Sequence, residues 1–187
     1  MTGTRYIPDI HHRRSIRLTG YDYASTGAYF VTICTHNREC LFGEITDGAM
    51  CTNSLGQIVS SEWLLTDALR REITLDAYVV MPNHFHAIVV TTAPTGRSSG
   101  HPASGGAHSR APLQRRPRSL ASLMAGFKAS VTTRINAVRE SPGTPVWQRN
   151  YYEHVIRSET DLVRLREYIA ANPARWPEDE NHPHRVR

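Results

Sequence analysis

Two apolar, β-branched runs, Ile73–Met81 and His84–Thr92, meet at Pro82-Asn83. Each run suits a strand, and the proline breaks the ladder that one continuous strand would need. The segment is a hairpin or a bent strand, and both readings point to an antiparallel sheet. A further strand is expected at Ala28–Thr35, and short strands with turns at 41–55, where Gly43, Asp47-Gly48 and Asn53 fall. Helical spacing marks Gln57–Arg71, through Ile58, Trp63, Leu64, Leu65 and Leu69. It recurs more regularly at about 119–139, through Leu120, Leu123, Met124, Phe127, Val131, Ile135 and Val138. Val146–Ile156 reads as a fourth main strand. Ser158-Glu-Thr-Asp161 resembles a capping box opening a last helix, which ends at Asn172-Pro173 and leaves a loose polar tail. This order predicts an α+β fold: an antiparallel central sheet with helices packed on one face.

The 187 residues suit a single domain with additions. These are a basic arm over about 1–27 (Arg5, Arg13, Arg14, Arg17), a loop over about 93–118 and a polar tail over about 177–187. The loop is dense in Gly, Ser, Pro and Ala, holds five arginines and no acid, and so is expected to be flexible. Lys and Arg outnumber Asp and Glu by 22 to 17. That balance favours an anionic partner such as nucleic acid, whose phosphates release counterions on contact, although a merely basic soluble protein fits it as well. Cys34, Cys40 and Cys51 form no C-x-x-C pair, which argues for a reducing compartment. No apolar run approaches the roughly 18 residues that span a bilayer. The N-terminal region has no apolar core of a signal peptide, so a cytoplasmic protein is expected.

The candidate chemistry sits in Met81-Pro-Asn-His-Phe-His86. Side chains alternate along a strand, so His84 and His86 share one face and Phe85 takes the other. Two imidazoles at that spacing can converge on one divalent ion, at the mouth of the strand where ion and substrate could reach them. They serve equally well as ordinary polar residues on a half-exposed strand. A third ligand has to come from elsewhere. On the last helix Leu162, Leu165 and Ile169 form a buried stripe, and Tyr168 and Asn172, four residues apart, share its flank. Asn172 can lend a carbonyl oxygen to a metal at the negative end of the helix dipole. By spacing alone Tyr168 is either a reactive phenol or a boundary packing residue.

These segments, together with Tyr29-Phe-Val-Thr32, Val146-Trp-Gln-Arg-Asn-Tyr-Tyr-Glu-His154 and Glu167-Tyr-Ile-Ala-Ala-Asn-Pro173, resemble the single-tyrosine HUH transposases. More closely they resemble the REP-associated tyrosine transposases, over about residues 15–176. The resemblance implies a ferredoxin-like sandwich. It implies His84 and His86 as metal ligands, Tyr168 as nucleophile, and Asn172 completing the metal site where related transposases carry glutamine. The ion would be Mg2+ or Mn2+. The implied substrate is single-stranded DNA with hairpins or palindromic repeats, cut and rejoined through a 5′-phosphotyrosine, and a homodimer is a further implied partner. Candidate phosphate contacts are Arg13, Arg14, Arg17, Lys128 and Arg134, with Arg149 in the strand ahead of the last helix. The competing readings are a non-catalytic, domesticated hairpin-binding module, a phosphodiesterase in which water attacks, and an RNA-binding protein.

Overall fold

The computed structural model describes residues 26–92 and 119–183. Arg5, Arg13, Arg14 and Arg17 of the basic arm, the 93–118 loop and residues 184–187 lie outside the described residues. Strand β1 (Gly27–Cys34) is followed by the short hairpin β2 (Gly43–Thr46) and β3 (Ala49–Thr52), then helix α1 (Ser54–Leu69). The pair β4 (Ile73–Met81) and β5 (His84–Thr91) comes next, then α2 (Leu120–Val138), β6 (Tyr152–Ile156) and α3 (Glu159–Ala171). A 3-10 helix, Pro173–Glu178, ends the sequence of elements. The main sheet has the order β4-β5-β1-β6 with every neighbouring pair antiparallel. With the β2–β3 hairpin set aside, this is the β-α-β-β-α-β arrangement of a ferredoxin-like sandwich.

The Pro82-Asn83 break is a hairpin turn, with Met81 opposite His84 and Val79 opposite His86. β5 lies between β4 and β1, and its side chains are buried on both faces of the sheet, where α1 and α2 pack on one side and α3 on the other. On one face Tyr29, Val31 and Ile33 of β1 and Phe85, Ala87 and Val89 of β5 pack against α1 and α2. At its centre Trp63, Phe85 and Phe127 meet with ring centroids 5.1–5.3 Å apart. Burying each such ring stabilises the fold by about 1.5–3 kcal/mol. On the opposite face Phe30 and Ile88 receive Ile169 of α3, with Leu162 and Leu165 half-buried beside it. The expected sheet with helices packed on it is present, α1 and α2 sharing one face and α3 covering the histidine face.

Asn53 caps α1 by accepting from the backbone N–H of Leu55 and of Gly56. Gly56 sits so near the Phe42 carbonyl that a Cβ would come within 2.2 Å of its oxygen. This contact starts the helix three residues earlier than hydrophobic spacing alone indicates. The helix buries Ile58, Val59 and Trp63, whereas Leu64, Leu65 and Leu69 point outward.

The fourth main strand is shorter than Val146–Ile156, its regular part beginning only at Tyr152. Val146 and Trp147 are buried in the core rather than extended in a ladder, with one isolated bridge from Trp147 to Thr35. The Lys128 ammonium then gathers the carbonyls of Gln148, Arg149 and Asn150, at 2.5, 3.2 and 3.5 Å, which turns that stretch away from strand pairing.

The α3 start is as expected: the Ser158 hydroxyl accepts from the Asp161 N–H. Its end is not a release into loose chain. Pro173 opens the 3-10 helix, where its missing N–H does no harm, and Trp176 and Asp179 beyond it are buried. Among the described residues no helix is long and apolar enough to cross a membrane.

Candidate active site

Alternation along β5 sends His84 and His86 to the α3 side of the sheet, their ring centroids 4.5 Å apart. Both are buried, with 0% and 2% of their surface exposed, so the pair is covered rather than open at the strand mouth. Trp176, tilted against His84, and Tyr168, edge-on to His86, form much of that cover. Each ring is held from behind. His86 Nδ1 lies 2.8 Å from the Thr32 hydroxyl of β1, its register partner, and His84 Nδ1 lies 2.9 Å from the Asn83 amide oxygen. Both Nε2 atoms are thereby left toward α3.

Tyr168 and Asn172 reach the same volume from α3. The Tyr168 hydroxyl is 3.4 Å from His86 Nε2, and its ring also meets Phe30 edge-on. Asp179, delivered by the turn after the 3-10 helix, is the residue that sequence reasoning missed. Its Oδ2 lies 3.8 Å from His84 Nε2 and accepts from the Asn172 amide at 3.3 Å, while its Oδ1 accepts from the Asn181 N–H at 2.6 Å. Ligand atoms of His84, His86 and Asp179 all lie within 4.8 Å of one another, a spacing that one cation can bridge. The signal for Asp179 was faint. Trp176, an aromatic residue in a polar tail, is the anchor that folds this acid back over the sheet.

Two buried polar atoms here make no hydrogen bond: His84 Nε2 and Asn172 Oδ1. Both can offer a lone pair, His84 Nε2 when its ring proton sits on Nδ1, and unpaired buried polar atoms are costly in a protein interior. The donor set fits a divalent cation: two imidazole nitrogens, a carboxylate and an amide oxygen. Protonation agrees. Burial pushes His84 below the ordinary imidazole range against the opposing pull of Asp179 and Asn172, with nearby Arg38 adding to the depression. Burial, then the neighbouring His84, pushes His86 well below it too. Both rings are therefore neutral near pH 7, the form that binds metal. Burial, then the Asp179 charge, raises the Tyr168 phenol, and the Asn172 amide works the other way. Without a compensating cation Tyr168 stays protonated.

The cationic candidates do not gather here. Lys128 and Arg134 stand on α2, on the opposite side of the sheet, and Arg134 pairs with Glu62 of α1 at 2.6 Å. Arg149 is exposed in the segment before β6, and its carbonyl is one of those held by Lys128. Arg13, Arg14 and Arg17 lie outside the described residues. Among the described residues Arg38, which the sequence did not single out, is a cation whose charge acts on His84.

The fold is shared with a solved tyrosine transposase. A REP-associated tyrosine transposase solved bound to a REP hairpin superposes with a TM-score of 0.55 at 19% identity, over 85% of this chain and 73% of that one. No family model matches the chain. A Haemophilus influenzae protein described as uncharacterized is 40% identical over 177 residues, which cover 95% of this chain and 97% of the relative. The chain belongs to one family with that Haemophilus influenzae protein.

Proposed function

We propose that this protein cuts and rejoins single-stranded DNA at hairpins or palindromic repeats, with Tyr168 as nucleophile beside a divalent ion. The observation that carries the reading is the convergence on one sheet face of His84, His86, Asp179 and the Tyr168 hydroxyl. The fold shared with a transposase solved on a REP hairpin supports the substrate class. His84 and His86 would hold Mg2+ or Mn2+, with Asp179 as the anionic ligand and Asn172 supplying a neutral oxygen. When bound, the ion supplies electrostatic stabilisation for charge developing on the scissile phosphate.

The chain's own residues do the rest. The half-exposed Tyr168 presents its hydroxyl at the rim of the site while the face of α3 behind it is anchored by Ile169. Its oxygen attacks phosphorus, the new O–P bond replaces the bond to the 3′ oxygen, and that oxygen leaves as a 3′-hydroxyl after taking up a proton. The phenol proton passes to solvent. The phosphodiester energy stays in the 5′-phosphotyrosine, so a later 3′-hydroxyl can reverse the step without a nucleotide cofactor. Asn172 favours the ionised phenol, whereas burial and Asp179 oppose it, so a cation held by His84, His86 and Asp179 would favour ionisation of Tyr168.

The reading is tested with Mn2+ titrated into metal-free protein, followed by electron paramagnetic resonance, and with cleavage of end-labelled hairpin DNA. Binding of one ion, lost in His84→Ala and His86→Ala together with cleavage, is expected. Undiminished cleavage in excess chelator contradicts it.

A further inference from the structure

We propose that Asn83 is the positioning residue of this site, through one amide that fixes the bare nitrogen of His84 and the seat of Asp179. The inference rests on the metal reading and adds to it how the two ligands are set. Asn83 is fully buried in the β4–β5 turn. Its Nδ2 donates to the Arg38 carbonyl at 3.1 Å and to the Asn181 carbonyl at 2.7 Å. Carbonyls only accept, so these two bonds decide which end of the amide is nitrogen. The amide oxygen must therefore face His84 Nδ1, 2.9 Å away.

An amide oxygen cannot donate, so the contact requires the proton on Nδ1. A neutral imidazole has one such proton. Nε2 is then bare, and it is the atom aimed at the site and without a hydrogen bond. Its neighbour at 3.8 Å, Asp179 Oδ2, is another acceptor, and two lone pairs facing each other are what a cation would join.

The second arm of the amide acts on Asp179. Asn181, whose carbonyl Asn83 holds, donates its own N–H to Asp179 Oδ1. Arg38 holds the intervening Glu180 carbonyl at 2.8 Å, so the turn that presents the carboxylate is tied at consecutive residues. The tie starts from a rigid base: the Asn83 carbonyl accepts from both the N–H and the hydroxyl of Thr35. Outer partners of this kind typically change metal affinity by about 10–100-fold.

The test uses full-length protein with 15N-labelled histidine, free of metal, at pH 8, where nitrogen shifts and long-range couplings report the tautomer. Wild-type His84 is expected to carry its proton on Nδ1. Asn83→Ala should move it toward Nε2 and weaken Mn2+ binding at least about tenfold. Wild-type His84 protonated on Nε2 would overturn the proposal, and this arm holds even if the variant does not fold. An Asn83→Ala protein with unchanged tautomer, or with unchanged Mn2+ affinity, overturns it as well. If wild type shows the Nδ1 proton but binds no Mn2+, the metal reading fails and takes the purpose of Asn83 with it. The tautomer signal tells the two failures apart.

Discussion

Five side chains from three places in the chain would carry the proposed chemistry, and they are unequal. His84 and His86 supply the nitrogens, and neither has a near substitute in the site. Replacing either by Ala should lower hairpin cleavage at least about a hundredfold. Asn172→Ala should cost nearer tenfold, because water can take the place of a neutral oxygen. Asp179→Asn separates charge from shape: it keeps an oxygen ligand but should weaken Mn2+ binding and bring the Tyr168 phenol down, since the Asp179 charge is one of the causes that raise it. The histidines also predict a pH dependence of the metal-free protein. His84 titrates near 6.5 when unfolded and at about 4 when folded. Below 6.5 the unfolded chain therefore takes up a proton that the folded one refuses. Stability is complete above that pH, falls as the pH drops toward 4 and levels off below it. Burial of His86 adds a loss in the same direction. Melting curves from pH 7.5 to 4 check this, and a metal-free protein growing more stable on acidification would show that Asp179 keeps the pair protonated.

The element that has to be placed most accurately is α3, because it carries both Tyr168 and Asn172. Apolar contact through Ile169 holds its last turn, and a hydrogen bond and an ion pair tie it to the two edges of the sheet. Asp161 reaches His154 of β6 at 2.8 Å, and Arg166 grips Asp76 of β4 through two bonds of 2.9 and 2.6 Å. Asp76 lies at the irregularity between Leu75 and Tyr78, so the β4 bulge provides the anchoring acid. Arg166 is 44% exposed, so solvent screens the pair and it should contribute little to stability. Its role is positional. Arg166→Ala should leave the melting temperature nearly unchanged and slow cleavage about tenfold at saturating DNA, through misplacement of the nucleophile two residues on. Equal cleavage rates would show that Ile169 and its neighbours suffice. The helix itself was legible in the sequence, since its cap and stripe are local signals. Its two anchors were not, because nothing local pairs Arg166 with an acid 90 residues earlier.

Across the whole molecule, what could be read from the sequence follows the same division between local and distant causes. The break at Pro82-Asn83, open in the sequence between a hairpin and a bent strand, the shared face of His84 and His86, and the shared flank of Tyr168 and Asn172 follow from local signals, and the structure contains them, the break as a hairpin. Asp179 and Asn83 escaped, because their roles depend on a C-terminal turn folding back across the sheet and on an amide orientation fixed by two distant carbonyls. Val146–Asn150 misled for a related reason: its apolar residues serve the core, and Lys128 from another helix turns its backbone away from the ladder. The central claim, that Tyr168 forms the covalent link, can be separated from the fold and from DNA binding by removing one oxygen atom. Tyr168→Phe keeps the ring against Phe30 and His86, so folding and hairpin binding should be nearly unchanged. Tyr151→Phe and Tyr152→Phe serve as controls. The measurement is a denaturing gel of end-labelled single-stranded hairpin DNA incubated with Mn2+ and each protein. The account predicts a shifted, protease-sensitive band for wild type and both controls, and neither that band nor any cleaved DNA for Tyr168→Phe. A covalent band from Tyr168→Phe, or cleavage by wild type with no covalent band at any time, would contradict it.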